Sequence, residues 1–197
     1  MGIVRGVASR EIEPLVETVM ASGLETLEIT LNTKGACDLI RQTVKIAKGR
    51  LTVGAGTVLD IKGLKLCLDA GAAFIVMPVV VDEVLAYCVK NKVPVFPGAL
   101  TPTEIYSAWL KGATMVKVFP AKFLGPEYFR EVKAPFNDVQ LLACSGVTPE
   151  NLKDYFSCGA SAVSFGASVF RKEWFANKDF ESVGNIIKRY IEAFRRL

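Results

Sequence analysis

Three features of this sequence carry chemical weight: a lysine inside an apolar strand, a glutamate inside another, and the absence of histidine from the whole chain. Thr114-Met115-Val116-Lys117-Val118-Phe119-Pro120 reads as a short strand closed by proline, with apolar residues on both sides of one cation. Apolar runs of this kind are usually buried on both faces, as in parallel sheets. Burying an unpaired ammonium is costly, and an amine that burial has relieved of its proton attacks a ketone to form a Schiff base. Two readings of Lys117 stand side by side on this stretch alone. One is a reactive amine; the other is a strand-end lysine that reaches water or pairs with a carboxylate. Without histidine, Ser-His-Asp and Cys-His catalysis, histidine acid–base chemistry and His-rich zinc sites are excluded together. Proton transfer then falls to carboxylates, lysine, tyrosine, cysteine or water.

Composition limits the setting. The chain has 197 residues, 51% hydrophobic and 22% charged, enough for one domain with a substantial core. The net charge of +4 is scattered, and its densest group (Lys188, Arg189, Arg195, Arg196) lies on a C-terminal amphipathic segment. That reads as a solvated helix face, so no nucleic-acid partner is expected. The five cysteines are dispersed and form no Cys-x-x-Cys pair, which points to reduced thiols in the cytoplasm rather than a disulfide framework or zinc site. Strand-like residues begin at Ile3, leaving no space for a signal peptide, and no apolar run is long enough to cross a membrane.

The elements that must position Lys117 recur. Strands are expected at Ile3–Val7, Leu27–Leu31, from Leu51 into Gly54-Ala55-Gly56-Thr57, Phe74–Pro78, Val93–Gly98, around Lys117, Val139–Ala143 and Ala162–Phe165. Between them lie helical patterns stopped by Gly23, Gly49, Gly71, Gly112 and Gly159, and the last pattern is read as helical to the C-terminus. Thr101-Pro102-Thr103-Glu104 reads as a capping box, and Thr148-Pro149-Glu150 as a second cap. The unit of strand, loop, helix and glycine recurs about eight times, at roughly 20–26 residues each. That pattern predicts an α/β protein, a single (β/α)8 TIM barrel over residues 1–197. An open doubly wound sheet is the alternative, but Gly54-Ala55-Gly56-Thr57 lacks the third glycine of a dinucleotide turn and follows the third strand.

Barrel active sites lie at the C-terminal strand ends. Arg5, Glu28, Thr30, Thr57, Lys117, Ser145-Gly146 and Gly166-Ala167-Ser168 all fall there. Alternation in the second strand puts Glu28 and Thr30 on the face opposite Leu27, Ile29 and Leu31, so the polar pair should point into the barrel. A buried Glu–Lys pair can be structural, but such pairs seldom add stability, and Glu28 is the natural acid–base partner. The small-residue turns after the seventh and eighth strands either hold an anion on backbone N–H groups or are the ordinary tight turns of a barrel. Combined with Lys117, they point to a phosphorylated carbonyl substrate.

Taken in order, Leu27-Glu28-Ile29-Thr30-Leu31-Asn32-Thr33, Gly54-Ala55-Gly56-Thr57-Val58, Pro97-Gly98, Lys117-Val118-Phe119-Pro120-Ala121, Gly125-Pro126 and Ser145-Gly146-Val147-Thr148-Pro149-Glu150-Asn151 are a specific combination. With them the chain resembles the class I 2-keto-3-deoxy-6-phosphogluconate aldolase family, which includes 4-hydroxy-2-oxoglutarate aldolase and a 2-keto-3-deoxy-6-phosphogalactonate branch. The resemblance implies that Lys117 is the Schiff-base lysine, Glu28 the proton-transferring carboxylate and Thr57 a contact to the pyruvyl portion. It implies a phosphate site at Ser145, Gly146, Gly166, Ala167 and Ser168, and Arg5 at the same mouth is expected to bind substrate. It further implies cleavage of a 2-keto-3-deoxy-6-phospho sugar acid, of the 6-phosphogluconate type, to pyruvate and glyceraldehyde 3-phosphate, with no cofactor, no metal and a homotrimer. Cys144-Ser145-Gly146 departs from the family's usual Thr-Gly-Gly, and Ala167 replaces a common glycine. Asn32 stands where gluconate-type enzymes often carry arginine, and Arg5-Gly6 with Leu31-Asn32 looks like the galactonate branch. A non-catalytic phosphosugar-binding barrel and a barrel isomerase are the alternatives from other classes.

Overall fold

The computed structural model describes residues 1–197 and shows nine short strands alternating with nine α-helices. The strands are β1 (Gly2–Val4), β2 (Thr26–Thr30), β3 (Thr52–Gly56), β4 (Ile75–Val76), β5 (Val95–Phe96), β6 (Gly98–Ala99), β7 (Val116–Val118), β8 (Leu141–Cys144) and β9 (Ala162–Ser164). All pair in parallel, in the orders β1-β2-β3-β4-β5 and β6-β7-β8-β9. Two joints make one barrel of these sheets. At the first, Pro97 has no N–H and interrupts a fifth strand, whose β5 half pairs with β4 and whose β6 half pairs with β7. The Pro97 carbonyl still accepts from Lys117 N at 2.8 Å. At the second, Ile3 N donates to Phe165 O at 2.8 Å and Phe165 N to Met1 O at 3.1 Å, joining the last strand to the first. The eight-strand expectation therefore holds, with its fifth strand split.

The helices are α1 (Ser9–Ala21), α2 (Ala36–Ala47), α3 (Ile61–Asp69), α4 (Asp82–Lys90), α5 (Pro102–Leu110), α6 (Glu127–Lys133), α7 (Leu152–Ser157), α8 (Lys172–Ala176) and α9 (Phe180–Arg195). None is long and apolar enough to cross a membrane. The Thr101 box forms as expected: Glu104 N donates to Thr101 Oγ1 at 3.3 Å, and Thr101 N to Glu104 Oε2 at 2.9 Å. Three expectations need correction. Thr148-Pro149-Glu150 does not cap α7, which starts three residues after Pro149; instead Thr148 and Asn151 bond reciprocally in the preceding turn. The first strand ends at Val4 rather than Val7, because Gly6 turns the chain at φ 72°. The C-terminal region is two helices, separated at Lys178 (φ 55°) and restarted where Asp179 accepts from Ser182 N.

Burial separates two apolar regions. A cluster of 52 buried residues fills the layer between strands and helices. Phe74, Val76, Leu142 and Cys144 are buried outside that cluster. Leu142 is level with Lys117, and Cys144 with Ser164, so these side chains line the barrel interior. Phe74 and Phe96 meet edge to face at 5.7 Å, and the Phe74 ring occupies the space a side chain at Gly54 would need. This interior packing surrounds the polar residues.

Candidate active site

Lys117 is the middle residue of β7, and its neighbours Val116 and Val118 are fully buried in the outer layer. Period-two alternation therefore turns Lys117 inward, where it is 7% exposed. Its Nζ lies 5.3 Å from the centroid of the Phe119 ring. Glu28 projects inward from β2 and is 1% exposed, with Leu27 and Ile29 packed outward as the sequence predicts. Burial above all pushes its carboxyl up from the ordinary glutamate range, while Lys117, the first amino group of the chain and Arg5 pull it the other way. Glu28 Oε2 is the one buried side-chain polar atom in the molecule without a hydrogen-bond partner. An orphan of this kind costs about 1–3 kcal/mol. None of the six ion pairs includes either residue, so amine and carboxyl share the interior without contact.

The ends of β1 and β2 are tied by hydroxyls. Gly6 N donates to Thr33 Oγ1 at 2.9 Å, Thr33 and Thr30 hydroxyls meet at 3.2 Å, and Thr30 Oγ1 donates to Val4 O at 3.3 Å. This tie turns Arg5 over the mouth, where its Nη2 approaches Thr57 Oγ1 at 3.5 Å. Thr57 has φ 59°, an uncommon backbone for a β-branched residue. Such strain concentrates at binding sites.

The two late turns are close together. Ser145 (φ 82°) and Gly146 (φ 79°) are both left-handed after β8, and a side chain at 146 would meet Lys122 Cβ at 2.4 Å. Asn151 Nδ2 donates to Gly146 O at 2.9 Å, holding that turn from below. After β9, Gly166 passes beside Ile3, and Val169 N and Phe170 N both donate to its carbonyl, leaving Ala167 and Ser168 exposed. Tyr190 of α9 supports the first of these turns: its hydroxyl donates to Val147 O at 2.7 Å.

The nine site residues expected from the sequence all lie at or below one mouth. Four other contributors are visible only in the fold. Thr33 and Tyr190 act through loop contacts from distant positions, Phe119 through the ring beneath the amine, and Gly56 through what it lacks. Thr33 and Gly56 belong to segments whose pattern is recognisable, but nothing in their spacing signals a role. Surface grooves of similar size lie both beside the mouth, at Gly6 and Thr33, and away from it, including one of about 500 Å³ over α5 lined by Tyr106, Leu110 and Phe136. Chemistry rather than groove size marks the mouth: an amine, a carboxyl beyond contact, and turns with free N–H groups.

Known proteins resemble this chain along nearly its whole length. A 2-dehydro-3-deoxy-6-phosphogalactonate aldolase of Escherichia coli (strain K12) is 30% identical over 98% of this chain and 95% of its own length. A 2-dehydro-3-deoxy-phosphogluconate aldolase of Pseudomonas aeruginosa is 32% identical over 93% of this chain and 84% of its own. A solved structure described as native KDPGal superposes with a TM-score of 0.92 at 30% identity, covering 99% of this chain and 93% of that one. The family model for KDPG and KHG aldolase matches residues 1–186. The chain belongs to the KDPG and KHG aldolase family, and it is an aldolase, a lyase.

Proposed function

We propose that this aldolase works through a Schiff base on Lys117, cleaving a 2-keto-3-deoxy-6-phospho sugar acid to pyruvate and glyceraldehyde 3-phosphate. The observation that carries the reading is the buried pair itself: Lys117 and Glu28 enclosed in one barrel, without an ion pair, and with one carboxyl oxygen unpartnered. A purely structural pair would be in contact. Here they are not in contact, as a ketone carbon bound by one and served by the other would need.

The steps follow from those positions. Lys117 Nζ attacks the C2 ketone, and the carbinolamine loses water to give a protonated imine. Glu28, with its carboxyl held up by burial, gives the proton that leaves with that water. As a carboxylate it then takes the C4 hydroxyl proton. The C3–C4 bond breaks, its electrons flow to the imine nitrogen, and glyceraldehyde 3-phosphate leaves. Glu28 returns the proton to C3 of the enamine, and hydrolysis frees pyruvate and the amine. Arg5 and Thr57 fit the substrate carboxylate, and the turns at Ser145-Gly146 and Gly166-Ala167-Ser168 fit the phosphate through backbone N–H groups.

Asn32, Arg5-Gly6 and the full-length likeness to the galactonate enzyme support the galactonate epimer over the gluconate epimer expected from the sequence. Borohydride added with pyruvate tests the chemistry: peptide mass spectrometry should find a reduced adduct at Lys117, and an adduct elsewhere or none would refute it. Initial rates with the two 6-phosphorylated epimers then test the substrate. The galactonate epimer should show the higher kcat/KM, and the opposite order restores the gluconate reading.

A further inference from the structure

Three glycines line the interior on strands β3 and β6, and each has a different reason to lack a side chain. At Gly54 the space is filled by the Phe74 ring, 2.3 Å from where a Cβ would stand. At Gly98 it is filled by backbone, with Pro78 O at 2.1 Å. At Gly56 it is filled by the carboxyl of Glu28: Oε1 at 2.3 Å and Cδ at 2.7 Å, with Thr30 Cγ2 behind at 3.3 Å. The backbone does not require glycine there, since Gly56 is an ordinary residue of β3 outside the left-handed region. Register explains the contact. Glu28 is level with Gly54 and Thr30 with Gly56, so the Glu28 side chain leans one layer towards the mouth.

We infer that Gly56 is a positioning residue for the reaction: the space left by its missing side chain is the notch that seats the Glu28 carboxyl. This rests on the proton-transfer role proposed for Glu28. An added methyl would meet the far end of a flexible side chain rather than fixed backbone. The strand survives, and the carboxyl moves. Thr30 Cγ2 closes one side of the notch, so the displaced carboxyl swings towards the interior and away from its present line to the substrate.

The test is a cycle of Gly56→Ala with changes at Glu28. Alone, Gly56→Ala should lower kcat by about 10–100-fold, a large share of a full general acid–base contribution, with KM altered by less than about threefold. Lys117 should still be trapped by pyruvate and borohydride. In a Glu28→Asp background, whose carboxyl is one methylene shorter, adding Gly56→Ala should cost less than about threefold. Melting temperature supplies a readout independent of turnover. Gly56→Ala should lower Tm in the wild-type chain but not in Glu28→Ala, where the notch is empty. Equal losses of kcat in the Glu28 and Asp backgrounds, or equal Tm shifts with and without the carboxyl, would overturn the inference. Failure of the wild-type chain to trap pyruvate would instead defeat the Schiff-base reading, and the Tm cycle would still decide whether residue 56 acts through Glu28.

Discussion

At the scale of single residues, the molecule spends stability on Glu28. A carboxyl buried with one orphan oxygen is tolerable as a neutral acid and costly as an anion. The sign of the resulting pH dependence follows from proton counting. Between the unfolded and the raised folded pKa, the native state binds more protons, so stability falls as pH rises. Glu28 therefore favours the fold fully below the ordinary glutamate range and loses that contribution as pH climbs through its raised value. A tenfold difference in acidity between the folded and unfolded carboxyl corresponds to about 1.4 kcal/mol. Stability curves of the wild type and Glu28→Gln should diverge across that window and run parallel on either side of it. The buried first amino group, which burial lowers to about 6 against the pull of Glu28, contributes a slope of opposite sign. Parallel curves throughout would mean that the carboxyl is solvated. Lys117 and Glu28 were legible in the sequence because polar residues interrupt apolar strands. Gly56 was not, since a notch is defined by another residue's side chain.

At the scale of elements, the turn after β8 carries strain that no local rule requires. Ser145 sits at φ 82°, where an L-residue with a Cβ costs about 1–2 kcal/mol, and its hydroxyl has no hydrogen-bond partner in the structure. Retaining serine at that cost makes sense if the hydroxyl joins the backbone N–H groups around the phosphate. Ser145→Gly should then raise stability by about 1 kcal/mol, seen as a Tm increase of roughly 2–4 °C. It should also lower kcat/KM about tenfold for the phosphorylated substrate and leave 4-hydroxy-2-oxoglutarate cleavage unchanged. A uniform effect on both substrates would remove the hydroxyl from the phosphate site. Strands, stops and the Thr101 box were readable because glycine, proline and capping residues act over a few positions. The Thr148–Asn151 bond and the break at Lys178 were not, because competing turns with similar residues differ by little energy.

At the scale of the whole molecule, the mouth has two characters. The β8, β9 and β1 side is polar, built from turns and Arg5. The loops after β4 and β7 expose Val79, Phe119, Phe123 and Leu124, with Phe123 75% exposed. Those strands are separated only by the split fifth strand, so the four side chains share one sector. We propose that this sector is an association surface, the face that the homotrimer implied by the family resemblance would cover. Light scattering should give three times the chain mass, and Phe123→Asp should shift the protein to monomer. An unchanged mass for that variant would move the contact elsewhere. The repeat of strand and helix was enough to read the barrel, whereas this sector depends on which strands become neighbours.

The joint between Phe165 and the first strand has a kinetic consequence. Its hydrogen bonds connect residues more than 160 positions apart, since Met1 N also donates to Val163 O. Contacts of such separation carry the largest loop-closure entropy, and they form late and open early. The turn holding Gly166, Ala167 and Ser168 begins at this seam, directly after Phe165. A phosphate clasped there would tie the β9 side of the last closure to the turn after β8, so inorganic phosphate should slow unfolding more than it speeds refolding. The binding site would then also serve as the latch of the barrel.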